Sequence, residues 1–136
     1  MAIERTAQCH CGALRVIASG DPGFVNLCHC QACQRRTGAV VHSGAYYPKA
    51  QVRIEGASKV YVRTAAEGRK LRFHFCPECG SNVYWDADLR PDFWGIAVGA
   101  FADPNFPAPT ASVWEESKHG WVAVPPGVQH FPRGRQ

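Results

Sequence analysis

Residues 71–86 read LRFHFCPECGSNVYWD: an alternating segment, two cysteines separated by Pro77 and Glu78, a glycine, and a second apolar-rich segment. The flanks are rich in β-branched and aromatic residues and follow the period of a strand with one buried face. From Cys76 to Cys79 the chain must turn sharply. Amides inside such a turn point back at the sulfurs, and Gly80 permits the left-handed conformation that completes it. This CPxCG pattern is that of a zinc knuckle, so the stretch predicts a hairpin with two thiolates at its tip.

Outward from the hairpin, the same period recurs. ALRVIAS (13–19), VRIEG (52–56) and KVYVRT (59–64) read as strands, and AVVHSGAYY (39–47) and FWGIAVGAF (93–101) as longer ones. Glycines inside the longer two predict bulges or close backbone approach. Turn residues separate the segments at 20–23, 47–48, 67–68 and 103–105. QACQRRTG (31–38) is the one helical candidate, ending at Gly38. The pattern predicts an all-β domain of two small antiparallel sheets packed together. It covers residues 1–136, with a core over about 5–125 and an irregular, Pro/Gly-rich tail at 126–136.

Composition narrows the function classes. Of 136 residues, 46% are hydrophobic and 19% charged, an ordinary globular balance, and the net charge of +4 comes from scattered Lys and Arg. A dense basic face is missing, which argues against nucleic acid as partner. No apolar run follows a basic start and no window approaches the ~20 apolar residues of a membrane helix, so a soluble, cytoplasmic protein is expected. In a reducing compartment, seven cysteines are better read as metal ligands than as disulfides. Motifs of serine hydrolases, metalloproteases, P-loop proteins and dinucleotide-binding folds are all missing.

The cysteines fall into three clusters: Cys9-His10-Cys11, Cys28-His29-Cys30-Gln31-Ala32-Cys33, and Cys76 with Cys79. In an extended segment, Cys9 and Cys11 share a face and can grip one ion. With Cys76 and Cys79 they make a closed set of four thiolates, a structural zinc site stapling the N-terminal strand to the hairpin. Cys28, Cys30 and Cys33 remain, one ligand short of closure. Spacing alone leaves the fourth position to His29, His42, His74 or His119, to a carboxylate, to solvent or to a substrate. Three protein ligands with an exchangeable fourth is the arrangement of a catalytic zinc, and a soft all-sulfur set favours thiol chemistry. Arg35 and Arg36, just beyond Cys33, either offer cations to a carboxylate-bearing ligand or lie on a solvated helix face. The aromatic residues are read as core and cleft wall, with none singled out.

Taken together, CHCG at 9–12, CHCQACQRRTGA at 28–39 and FCPECGSNVYW at 75–85 resemble the family of glutathione-dependent formaldehyde-activating enzymes, which includes centromere protein V. VGAFADP (98–104) and SVWEESKHGW (112–121) are similar to the family's later strand and closing segment. The resemblance implies a β-tent (Mss4-like) fold and two zinc ions per chain. It implies a structural zinc on Cys9, Cys11, Cys76 and Cys79, and a catalytic zinc on Cys28, Cys30 and Cys33. It also implies a carbon–sulfur lyase-type activity on glutathione or a related thiol adduct, like that of S-(hydroxymethyl)glutathione synthase. The alternative is a non-catalytic, zinc-stabilised binding module of the same fold, and a weaker third possibility is a redox-sensing cluster.

Overall fold

The computed structural model describes residues 3–134; residues 1, 2, 135 and 136, the ends of the expected domain, lie outside the described residues. The hairpin forms as its alternation predicts. Strand β6 (Lys59–Thr64) pairs antiparallel with β7 (Lys70–Phe75), and β7 with β8 (Asn82–Ala87). The register shifts once, between His74 and Phe75. A larger sheet grows from this edge through β9 (Phe93–Ala97), β4 (His42–Pro48) and β3 (Phe24–Cys28), each antiparallel to its neighbour. Two short strands, β10 (Ala111–Val113) and β11 (Gln129–His130), complete eight strands in the order β11-β10-β3-β4-β9-β8-β7-β6. The smaller sheet has β2 (Arg15–Ser19) between β1 (Glu4–Gln8) and β5 (Val52–Glu55), all antiparallel.

The all-β, two-sheet expectation is met, with local differences. Both ladders of β10, to β3 and to β11, are parallel, a pairing that alternation does not announce. Residues 39–41 precede the strand instead of opening it, because they follow the helix end at Gly38. The 93–101 segment leaves the sheet after Ala97 and closes as a 3-10 turn over Val98–Phe101. The tail after residue 125 is docked through β11 and through amides of Trp114, Glu115 and Glu116 donating to carbonyls of Arg133, Phe131 and Pro132.

The two faces of the large sheet do different work. Val25, Ala45, Tyr47, Tyr84 and Ile96 join Ala7, Val16 and Ala18 of the small sheet in one buried cluster, the hydrophobic core. The alternate positions, Asn26 and Cys28 on β3, His42, Gly44 and Tyr46 on β4, Trp85 on β8 and Gly95 on β9, line a cavity of about 240 Å³ on the other face. Period-two geometry thus sends one half of each central strand to the core and the other half to the cavity. Trp85 lies directly opposite Gly95 in the β8–β9 ladder, and its indole occupies the space that a side chain at Gly44 or Gly95 would fill. The glycines in these strands mark close approach, as expected, and the bulge lies elsewhere, in the β7–β8 ladder.

Candidate functional site

All seven cysteines are unbridged, and they gather into two groups. The first comprises Cys9, Cys11, Cys76 and Cys79, whose sulfurs all lie within 4.8 Å of one another. Two of its edges are 3.6 Å, between Cys9 and Cys11, and 3.7 Å, between Cys11 and Cys76. A tetrahedron with metal–sulfur bonds of ~2.3 Å has edges of about 3.8 Å, so the set already has the dimensions of a four-thiolate metal site. Backbone amides support it: Leu14 N–H donates to the Cys9 sulfur, and those of Glu78 and Cys79 to the Cys76 sulfur. Gly80 takes φ 76° as the knuckle turns away, and hydrogen bonds from Ser81 hold the Cys79 thiol down, to about 5. Cys9 and Cys11 sit in a turn after β1 and not on an extended segment, so the turn, rather than a shared strand face, brings them together. The Ser81 hydroxyl accepts the His10 amide at 3.0 Å and fastens that turn to the knuckle.

The second group is Cys28, Cys30 and Cys33, again with sulfurs mutually within 4.8 Å. Cys28 is the last residue of β3. Cys30 caps the helix α1 (Gln31–Thr37), its sulfur accepting the Cys33 amide at 3.2 Å, and Cys33 comes round on the first turn. The helix ends at Gly38, as its sequence predicts. Hydrogen bonds from the Cys28 and Cys33 thiols hold the Cys30 pKa low, at about 2, while the Cys30 and Cys33 sulfurs push that of Cys28 up. Sulfurs this close compete for one proton-free state, and a divalent cation is the partner that lets all three ionise together. The donor set therefore fits a thiophilic metal.

Among the described residues no histidine, aspartate or glutamate ligand atom lies within 4.8 Å of all three sulfurs. His29 is fully buried and turned to the Ser112 hydroxyl, 2.8 Å from its Nε2. Ser58 holds His74 at 2.9 Å, and Gln34 holds His119 at 3.0 Å. Only His42 shares the cavity with the sulfurs; it is the register partner of Cys28 across the β3–β4 ladder, and burial together with Arg36 pushes its pKa down to about 4. The ligand loop itself is pinned from behind. Gln34 Nε2 and Ser117 Oγ both donate to the His29 carbonyl, at 2.8 and 2.9 Å. Ser112→Ala removes the only side-chain hydrogen-bond partner, among the described residues, of a buried imidazole whose Nδ1 has none there, so it should cost ~1–3 kcal/mol. A urea denaturation midpoint unchanged from wild type would refute that role.

Aromatic residues, expected as core and cleft wall without any being singled out, supply the cavity's other walls. Tyr46, Phe73 and Trp85 line it, and the Trp85 indole N–H points at the Tyr46 hydroxyl, 3.4 Å away. Of the two arginines after Cys33, Arg35 is exposed as on a solvated helix face, whereas Arg36 turns inward, its guanidinium 4.1 Å from the Phe73 ring centroid. The glycines at 44 and 95 were the available signal that a bulky side chain lies over these strands.

An all-β frame with one four-sulfur cluster and one three-sulfur cluster facing a cavity defines a class: small β proteins whose cysteine clusters are able to hold metal. Residues 4–117 match the family model of the glutathione-dependent formaldehyde-activating enzymes, and the chain belongs to that family. No curated protein matches it. A crystal structure of a Rhodobacter sphaeroides protein is similar in fold, with a TM-score of 0.51 at 20% identity over 93% of this chain and 98% of that one. Among the described residues no helix is long and apolar enough to cross a membrane.

Proposed function

We propose that this protein is a zinc-dependent carbon–sulfur lyase-type enzyme acting on glutathione or a related thiol adduct, in the manner of S-(hydroxymethyl)glutathione synthase. The observation that carries the reading is the three-cysteine cluster opening onto a cavity with no fourth side-chain ligand among the described residues. In this reading Cys9, Cys11, Cys76 and Cys79 hold a structural zinc, and Cys28, Cys30 and Cys33 hold a catalytic one. A zinc ion on three thiolates supplies a soft, exchangeable position at which a substrate thiol stays ionised near neutral pH.

The chain's own residues supply the rest. Cys30, held by the Cys33 amide, fixes the trio against the start of α1. Trp85, Phe73 and Tyr46 wall the cavity and exclude water from the sulfur and its electrophile. In the reaction the thiolate sulfur forms a bond to an aldehyde carbon. The carbonyl electron pair moves to oxygen and takes up a proton, and the reverse path breaks the carbon–sulfur bond. Family membership supports this chemistry, and the all-sulfur ligand set supports a thiol substrate.

The test is metal analysis followed by calorimetry. Wild type should contain two zinc ions per chain and bind glutathione; Cys30→Ser should contain one and show no measurable glutathione binding. One zinc with three titratable thiols in wild type would overturn the two-site reading. Two zinc ions with no affinity for any thiol would instead make the protein a zinc-stabilised binding module.

A further inference from the structure

Four buried side-chain polar atoms have no hydrogen-bond partner among the described residues: Asn26 Oδ1, His29 Nδ1, Arg36 Nη1 and His42 Nε2. All but that of His29 belong to residues lining the cavity that contains Cys28, Cys30 and Cys33. Buried polar groups are normally paired, and three unpaired ones on residues that line one cavity mark a place where a ligand could complete the pairing.

Charge narrows the ligand. Three guanidinium groups line the cavity, those of Arg36, Arg63 and Arg90, and none has a carboxylate partner among the described residues. The one carboxylate on the lining, Asp86, is already engaged by Lys49 at 2.9 Å and Arg72 at 2.8 Å. Arg36 is the best placed of the three. Its guanidinium lies against Phe73 at 4.1 Å and near Trp85 at 5.5 Å, which fixes its plane while Nη1 remains unpaired. A planar, pre-oriented guanidinium matches a carboxylate.

Size narrows it further. A cavity of about 150 Å³ admits benzene, so 240 Å³ admits roughly ten non-hydrogen atoms, the size of a small thiol acid and less than a tripeptide. A second, more open cavity of about 570 Å³ shares Cys33, Arg36, Arg63 and Phe73 with the first. Arg36 therefore stands where the two meet.

We propose that Arg36 is a specificity-determining residue that receives a carboxylate of the thiol substrate, so that the site selects thiols bearing a carboxylate near the sulfur. The outer cavity takes the remainder of a larger thiol. Asn26 and His42 each offer one uncharged polar group to the same ligand. This assignment rests on the thiol reading of the three-cysteine cluster.

The test compares two probes on the zinc-loaded full chain by calorimetry: 3-mercaptopropionate, which carries the carboxylate, and 2-mercaptoethanol, which does not. Wild type should prefer 3-mercaptopropionate by roughly 10- to 100-fold, the worth of a charge-assisted hydrogen bond pair. In Arg36→Gln that preference should fall to within about two-fold, with far less change for 2-mercaptoethanol, because the lost donor addresses only the carboxylate. Arg36→Lys, which keeps the charge but is shorter and lacks the planar fork, should retain only part of the preference, and it decides the matter should the glutamine variant fail to fold. A preference unchanged in the variants would overturn the role of Arg36 while leaving the thiol reading intact. Failure of both probes to bind wild type would overturn the thiol reading and this assignment with it.

Discussion

Cys9→Ser should leave the chain without a cooperative thermal transition. Cys9 is 1% exposed and Cys76 0%, so their sulfurs belong to the core as much as to the cluster. Structural zinc in small domains contributes roughly 10–16 kcal/mol of apparent binding free energy, against a total stability of about 5–15 kcal/mol for a typical domain. Losing one of four thiolates weakens that contribution and leaves three sulfurs crowded with nothing to neutralise them. The mechanical effect is as large, because the cluster joins the turn after β1 to the tip of the β7–β8 hairpin. Circular dichroism melts and metal counts on wild type, Cys9→Ser and Cys33→Ser make the test. Cys33→Ser should lose the other metal with a much smaller fall in melting temperature, since its cluster crosslinks only neighbouring residues. A Cys9→Ser protein melting within a few degrees of wild type would sink the structural assignment.

Gly95→Ala should destabilise the protein and weaken the cavity together. An added Cβ would fall inside the van der Waals envelope of the Trp85 indole at Nε1, Cε2 and Cζ2. The indole has little room to retreat: it also covers Gly44, sits 5.0 Å from the His42 ring and contacts the Tyr46 hydroxyl. Overpacking of this kind costs ~1–3 kcal/mol and sometimes more, which for a domain of this size lowers the melting temperature by about 3–10 °C. Any relief moves Trp85 into the cavity, so thiol affinity should fall with stability. Gly99→Ala is the control, because nothing lies within 4 Å of the Cβ it would add. Equal melting temperatures for the two variants would show that the sheet adapts to the methyl group.

Much of this was readable from residue order because the relevant forces are local. KVYVRT at 59–64 is β6 to the residue, and the helix after Cys30 ends at Gly38 where the sequence places it. Within each cluster the cysteines were readable for the same reason, since sulfurs two or three residues apart are neighbours in almost any backbone; joining Cys9 and Cys11 to Cys76 and Cys79 followed from a closed site needing four ligands. Partnership between strands was not readable. Ala111–Val113 offers three residues of pattern, too few to reveal a strand, and nothing in them announces parallel pairing with β3. The pairing of Cys28 with His42, and the inward turn of Arg36 beside an outward Arg35, depend on register and packing that period alone cannot supply. Cys9 and Cys11 show the converse: the partners were legible, but the turn that joins them was not.

The two clusters also differ in when they can exist. Cys28, Cys30 and Cys33 span six residues, whereas Cys11 and Cys76 are 65 residues apart. During synthesis the local trio is complete once residue 33 has emerged, and its loop-closure entropy is slight. The four-sulfur centre must wait for residues 34–79, an interval of roughly 2–9 s at 5–20 residues per second. Seven of the strands have been made by then. The closed centre is thus a late clasp, locking the amino-terminal sheet to the tip of the hairpin once the chain has reached Cys79.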